Sequence, residues 1–293
     1  LATAQELLKR QFDFLHITEY HKLGYKGKGY VILNTEELTD HGIMTTGVLK
    51  TFAPEVTVIN GGLYSRISDG VVEYYKIKIN DVDYDIEEAI KKFNVKIVTT
   101  SLSGTTPQSI LDMWEMLKKK YGIIMFNSAG NYASKGVDGR FARYGVAIAV
   151  GAAYINSVGT VTRYSYSAIG DEMDFMTFLG YGSGTSAASP SLASQTTLLL
   201  NRYGDFTHDE CYEILKSISV DLGTPGEDDY YGHGIPVLPL TDKLEVLEKL
   251  RGEKLDFKDV EDTRWSKPAI DRCVAEGLIL GFEDGTFRPT EFV

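Results

Sequence analysis

The sequence predicts an α/β fold: a doubly wound, mostly parallel sheet with helices on both faces, followed by a small helical C-terminal module. Three observations predict it. Short apolar runs are continuous instead of alternating, as in strands covered on both sides. They alternate with segments of helical period, the order that builds parallel strands joined by crossover helices. The composition, 43 % hydrophobic and 24 % charged over 293 residues, is that of a globular chain with room for one large domain and an appendage.

The elements follow in order. AQELLKRQFDFLHI near the start reads as a short amphipathic helix, and LGYKGKG as the turn before the first buried strand, Tyr30–Leu33, with Asn34 at its carboxyl end. PEVTVI, VVEYYKIKI and VKIVTTSL read as further strands of the sheet, with DIEEAIKKF as a helix between the last two. PQSILDMWEMLKKKY places Ile110, Leu111, Trp114 and Leu117 on one helical face and closes on lysines that complement the helix dipole. GIIMFNSAGN and VAIAVGAAY are again strands. From Thr185 to about Arg202, small residues precede a strongly apolar run, as in a helix threading a protein interior. HDECYEILKSIS is a last amphipathic helix, with His208 in a solvated first turn beside Asp209 and Glu210. We place the large domain at 1–250 and the appended module at 251–293.

Charge limits the partners. Lys+Arg 30 against Asp+Glu 41 gives a net charge of −11, which argues against nucleic acid and against an anionic membrane surface. No apolar run approaches a membrane span, and the chain begins without a charged-then-apolar signal segment. Cys211 and Cys273 fall in different units and read as unpaired core residues. The five histidines, His16, His21, His41, His208 and His233, show no metal-ligand spacing, so no metal site is expected from them.

Candidate chemistry gathers in Asn34–Gly42, Asn127–Asn131 and Gly182–Pro190, all at carboxyl ends of strands or at helix starts. GSGTSAASP puts Ser186 after glycines at the start of a helix, where free N–H groups favour a developing negative charge. Pro190 fits there because an early turn tolerates the missing donor.

GTSAASPSLA resembles the nucleophile motif of the subtilisin-like serine proteases, the subtilases. NSAGN resembles their oxyanion motif and DHGIMTTGVL their histidine motif, in the family's chain order of acid, histidine and serine. The resemblance covers roughly residues 15–240. It implies that Ser186 attacks a peptide carbonyl, that His41 takes and returns the proton, and that the Asn131 amide with the Ser186 N–H holds the oxyanion. A polypeptide substrate would lie as an added strand beside SLSG, Ser101–Gly104. Ser103 and Gly104 on one side and Ser128, Ala129 and Gly130 on the other would wall the main specificity pocket, small residues that admit a medium or large apolar side chain. No cofactor is required for this chemistry. The resemblance admits a structural calcium at the acidic loop Gly226–Tyr230, although a solvated loop is the reading its spacing supports.

One departure decides the expected activity. Where the family has a strand ending like VAVIDTG, this chain has YVILNTE, so Asn34 stands at the position of the acid and Glu36 at that of a glycine. An amide cannot stabilise an imidazolium, and in the template proteases such a change costs roughly ten-thousand-fold in kcat. The expectation is an attenuated endopeptidase. Two rescues stay open, Glu36 or Glu37 folding back to His41, with Asp40 less suited. HGIMTTG also departs from the family's HGTHVAG. The alternative is an inactive pseudoprotease serving as a binding or structural component of a cell envelope or phage particle.

The end of the chain, FKDVEDTRWSKPAIDRCVAEGLILGFEDGTFRP, resembles a surface-layer-homology repeat. Phe257, Val260, Trp265, Ile270 and Gly277 would form its core, with Gly281 and Gly285 in the turn. The resemblance implies a tether to the cell-wall polysaccharide of bacteria or, for a truncated repeat, packing on the neighbouring domain or assembly; with the peptidase motifs, the expectation is a bacterial or phage protein, extracellular or in the cell envelope. The repeat is single and stops at Val293, before the segment that usually follows.

Overall fold

The computed structural model describes residues 3–68, 71–252, 258–260, 266–270 and 286–288. The chain divides into two compact units, Leu1–Thr241 and Asp242–Val293. The first unit opens with α1 (Ala4–Leu15), started by a reciprocal cap: Glu6 N–H donates to Thr3 Oγ1 at 3.2 Å and Thr3 N–H donates to the Glu6 carboxylate at 2.7 Å. α2 (Ile17–Lys22) follows at once. Then come β1 (Val31–Asn34), α3 (Asp40–Phe52), β2 (Thr57–Asn60), β3 (Gly62–Ser68), β4 (Val71–Ile79), β5 (Val82–Asp85) and α4 (Ile86–Phe93). The second half carries β6 (Ile97–Thr100), α5 (Gln108–Tyr121), β7 (Ile124–Ser128), β8 (Ile148–Ile155), β9 (Val161–Arg163), β10 (Phe175–Thr177), α6 (Thr185–Tyr203), α7 (His208–Ser217), β11 (Ser219–Val220) and β12 (Ile235–Pro236).

The main sheet runs β10-β8-β7-β6-β1-β2 with every neighbouring pair parallel, and β9 adds antiparallel to β8. One face is covered by α5 and α4: Trp114, Leu117 and Ile90 pack in one core with Val98, Met125 and Phe141. α3 and α6 pack together and against the sheet. α6 is buried from Ala187 through Leu200, so the small residues of its first turns are those that permit close approach to the sheet. The expected α/β architecture is present.

VVEYYKIKI does form a strand, but outside the parallel sheet. β4 lies in a separate antiparallel sheet, β3-β4-β5. The physical reason is local: Asn80 and Asp81 take φ of 49° and 62°, the tight turn that folds a hairpin back on itself. Tyr75, Ile77 and Ile79 are buried while Lys76 and Lys78 are not, a two-residue alternation that marks a sheet covered on one face.

His208 also departs from expectation. It opens α7, yet it is buried, and its Nδ1 accepts the Met125 N–H of β7 at 3.2 Å. Burial, with Lys118 nearby as a second cause, pushes its pKa down to about 3. The unfolded chain therefore binds a proton that the folded chain refuses, and stability present above the ordinary histidine range is lost as pH falls toward 3. At about pH 4.5 the loss is about 3 kcal/mol. Asp174, pushed up to about 6 by burial, works in the opposite sense, since protonating it on acidification favours the fold. His208→Asn keeps an acceptor for Met125 and removes the titration. Chemical denaturation at several pH values is expected to show a slope between about pH 4.5 and 6.5 that is shallower in the variant by about 1.4 kcal/mol per unit. Equal slopes would rule out the buried neutral histidine.

In the second unit, α8 (Glu245–Gly252) is followed by a small cluster in which Val260 and Ile270 are buried and Phe287 packs against them. The Asp259 carboxylate accepts the Phe287 and Arg288 N–H groups at 2.8 and 2.6 Å. Phe257, Trp265, Gly277, Gly281, Gly285 and Cys273 lie outside the described residues. Cys211 is buried and unpaired. No helix among the described residues is long and apolar enough to cross a membrane.

Candidate active site

The strand order places a switch point between β1 and β6: the chain leaves β1 for β2 on one side and returns to β6 on the other. Connections leaving the carboxyl ends of such strands diverge and open a crevice. Asn34 ends β1, Ser101 follows β6, and Asn131 follows β7. His41 and Ser186 are the second residues of α3 and α6, the helices packed on each other.

Hydrogen bonds tie these segments together. Pro190 has no N–H, so the Ser186 carbonyl lacks its helical donor four residues on. The Ser101 hydroxyl donates to that carbonyl at 3.1 Å. One turn later Thr99 Oγ1 and Ser189 Oγ lie 2.7 Å apart. Asn131 Oδ1 accepts both the N–H and the hydroxyl of Thr185, at 2.8 and 3.0 Å, immediately before Ser186. With its oxygen occupied, the side chain retains the Nδ2 donor, and no partner for it occurs among the described residues. Asn131 also borders a cavity of about 410 Å³ walled by Tyr164, Tyr166, Leu179 and Gly182–Gly184.

His41 has a carboxylate. Its Nδ1 lies 3.2 Å from Glu36 Oε2, with the imidazole 43 % and the glutamate 13 % exposed. Glu37 is turned elsewhere, against the α-carbon of Gly62. Asn34, 1 % exposed, donates through Nδ2 to Thr45 Oγ1 at 2.8 Å and to Asn60 Oδ1 at 2.9 Å. The Thr45 hydroxyl proton goes to the Gly42 carbonyl and that of Thr46 to Asn60 Oδ1. Asn34 is thus held among the Thr45 and Thr46 hydroxyls of α3 and the Asn60 amide of β2. Its bonds run to α3 and β2 and not to the His41 ring.

Ser128, Ala129 and Gly130 are buried, and the Gly130 N–H donates to Thr185 Oγ1 at 3.1 Å. Facing them, the Ser101–Gly104 segment is held by residues 138–140: Ser103 bridges Gly139, the Arg140 N–H donates to the Leu102 carbonyl at 2.8 Å, and the Gly104 N–H donates to the Asp138 carbonyl at 3.0 Å. His233 lies far along the chain in a closing turn where Gly232 and Gly234 take φ of 57° and 96°. A side chain on Gly232 would sit 2.3 Å from the Asp174 carbonyl, so the glycines carry the backbone demand.

The acidic loop was the sequence's candidate for calcium. The Asp228 carboxylate accepts the Thr224, Tyr230 and Tyr231 N–H groups, and Asp221 accepts Gly226 N–H. Carboxylates surrounded by backbone donors organise the loop themselves and do not fit a cation. Among the described residues no three His, Cys, Asp or Glu side chains converge as a metal site.

Comparison with known proteins gives this geometry its family. A model described as the subtilase family matches residues 33–234, which contain Asn34, His41, Asn131 and Ser186. The chain belongs to the subtilase family. Subtilisin NAT from Bacillus subtilis subsp. natto is 28 % identical over 233 residues, covering 71 % of this chain and 58 % of that relative, so this subtilase aligns with little more than half of its length. The subtilisin of Bacillus pumilus is likewise 28 % identical over 233 residues, with 71 % and 80 % covered. Among solved structures, a lanthipeptide protease superposes with a TM-score of 0.57 at 16 % identity, over 78 % of this chain and 92 % of that one. MycP1 from the ESX-1 type VII secretion system gives 0.58 at 15 %, over 80 % and 87 %. At such identities the structures speak for the fold of the subtilase unit alone. A second family model, the S-layer homology domain, matches residues 256–293.

Of the residues singled out from sequence, Asn131, Ser186 and Ser101 are linked by the bonds around Thr185 and Pro190. Glu36 is the partner of His41. Sequence reasoning had left it level with Glu37, and only the fold of the short loop separates them.

Proposed function

We propose that the protein is a serine endopeptidase in which Glu36, and not the residue at the end of β1, supplies the carboxylate for His41. The observation that carries this reading is the Glu36–His41 pair at 3.2 Å: a chain whose strand end holds an amide still gives its imidazole a carboxylate. A proton drawn to Nδ1 by the neighbouring Glu36 carboxylate would leave the imidazole bare at Nε2, the tautomer a general base needs. Ser186 Oγ attacks the carbonyl carbon as its proton passes to His41 Nε2. The carbonyl oxygen gains the charge and is held by the Asn131 amide and the first-turn N–H of Ser186, a donor worth on the order of 3 kcal/mol. Collapse breaks the C–N bond, and His41 returns the proton to the leaving amine. Water, deprotonated by the same nitrogen, then releases the acyl group. Glu36 stabilises the imidazolium in both halves, work that the attenuated reading of Asn34 left undone. The rate penalty expected from the amide is then relieved in part or whole.

The site of action in this reading is extracellular or at the cell envelope, with the C-terminal unit as the tether to wall polysaccharide, in keeping with its match to S-layer homology domains. The test is intact-mass analysis after exposure to a fluorophosphonate, with Ser186→Ala as control. One adduct, placed on Ser186 and missing from the control, is the expected result. An unmodified protein after long exposure would overturn the peptidase in favour of the binding-component alternative.

A further inference from the structure

Resting on that peptidase reading, we propose that Asp138 makes the site selective for lysine or arginine on the acyl side of the scissile bond, the P1 residue. Asp138 bridges the two walls assigned to the specificity pocket. Its N–H donates to the Ala129 carbonyl at 2.9 Å, and its carbonyl accepts the Gly104 N–H at 3.0 Å. Its side chain turns onto Gly130: a β-carbon built there would lie 2.1 Å from Asp138 Oδ1. Gly130, at φ 118°, leaves room for the carboxylate on the pocket wall where any other residue would fill the space.

Oδ1 is buried and accepts no hydrogen bond from any described residue. Asp138 makes no ion pair within 4 Å among the described residues, Arg140 included, whose guanidinium Nε is itself buried without a partner and whose Nη1 reaches the Tyr75 hydroxyl at 3.4 Å. The loop carboxylates of Asp228 and Asp259 are met by backbone N–H groups, whereas Asp138 Oδ1, like Glu36 Oε1 beside His41, is buried with no such donor. A carboxylate oxygen left bare between two substrate-binding walls lacks only the donor that the substrate brings. A lysine or arginine side chain supplies charge-assisted hydrogen bonds there. An apolar side chain would bury the charge without compensation, which rejects it as firmly as the basic one is attracted. The small wall residues Ser103, Gly104, Ser128 and Ala129 set the width of the pocket, and Asp138 sets its charge.

The test uses the full chain and a series of peptide anilides that differ only at P1: Arg, Lys, Leu, Phe and Glu. kcat/KM for Arg and Lys is expected to exceed that for Leu and Phe by about 10- to 100-fold, and Glu to be the poorest. Asp138→Asn should erase the preference, bringing kcat/KM for Arg and Lys down to the level of Leu and Phe. Asp138→Glu should keep the basic preference if the charge and not the fit decides. A preference for Leu or Phe in the unaltered protein, or a basic preference that survives Asp138→Asn, would overturn the assignment while leaving the peptidase standing. Failure of the peptidase reading looks different: no adduct on Ser186 and no turnover of any peptide. In that case binding of the Arg and Leu peptides to the Ser186→Ala chain, read by fluorescence anisotropy, decides the pocket alone, equal affinities refuting it.

Discussion

Ser186→Ala is expected to bring peptide hydrolysis to the level left by binding and the oxyanion donors alone, a fall of about a millionfold in kcat; that figure comes from the measured case of subtilisin, a relative of this chain. The fall should appear in kcat, because the hydroxyl makes its bond only as the reaction proceeds, and KM should move by no more than a few-fold. Stability should change little: Ser186 is only half-buried, and the helix bonds of its backbone are unaffected by loss of the hydroxyl. His41→Ala should cost about as much, and the double variant hardly more than either, since the two act as a unit. Steady-state kinetics on one peptide with the three variants tests this. A double variant slower by the product of the single losses would show that the serine and histidine do not work together.

Glu36→Gln is the second large effect. The amide retains the size of the side chain and loses its charge, so kcat should fall by roughly a thousand- to ten-thousand-fold, with KM nearly constant. Glu36→Asp, shorter by one methylene, should recover part of the rate. The low-field proton resonance of the His41 Nδ1–H is expected in the unaltered chain and not in Glu36→Gln. Asn34→Asp is the discriminating comparison. If the strand end were the seat of the missing acid, this change would raise activity by orders of magnitude. Because the Asn34 side chain is bonded to α3 and β2 and not to the His41 ring, we expect no gain, and a loss of stability from a carboxylate 1 % exposed. A large gain from Asn34→Asp, together with an indifferent Glu36→Gln, would return the role to β1.

The family was legible because its motifs set particular residues in a particular order, and the fold because covered strands leave a continuous run of apolar residues. Other features were legible only in part. VVEYYKIKI announces a strand, but the sheet it joins is decided by the turn at Asn80 and Asp81, where the chain doubles back before it can cross over. His208 sits between Thr207 and Asp209, neighbours that signal a solvated helix start. Its burial comes from β7, more than eighty residues earlier in the chain. Glu36 and Glu37 are adjacent and identical, so no pattern ranks them. Asp138 carries no motif, and its isolation shows only once the partners of its oxygen are sought in space.

The order of the parallel sheet also has a consequence in time. The groups assigned to the proposed reaction come from residue 36 to residue 186, and each β-strand crossover must close a long loop before its contacts reward it, which makes such sheets slow to assemble. Ser186, the proposed nucleophile, opens α6, a helix buried from Ala187 through Leu200 behind strands that precede it in the chain. In the proposed peptidase, a nascent chain halted anywhere before α6 would hold the histidine and the oxyanion amide with no nucleophile to activate, so latency during synthesis would follow from the winding of the fold.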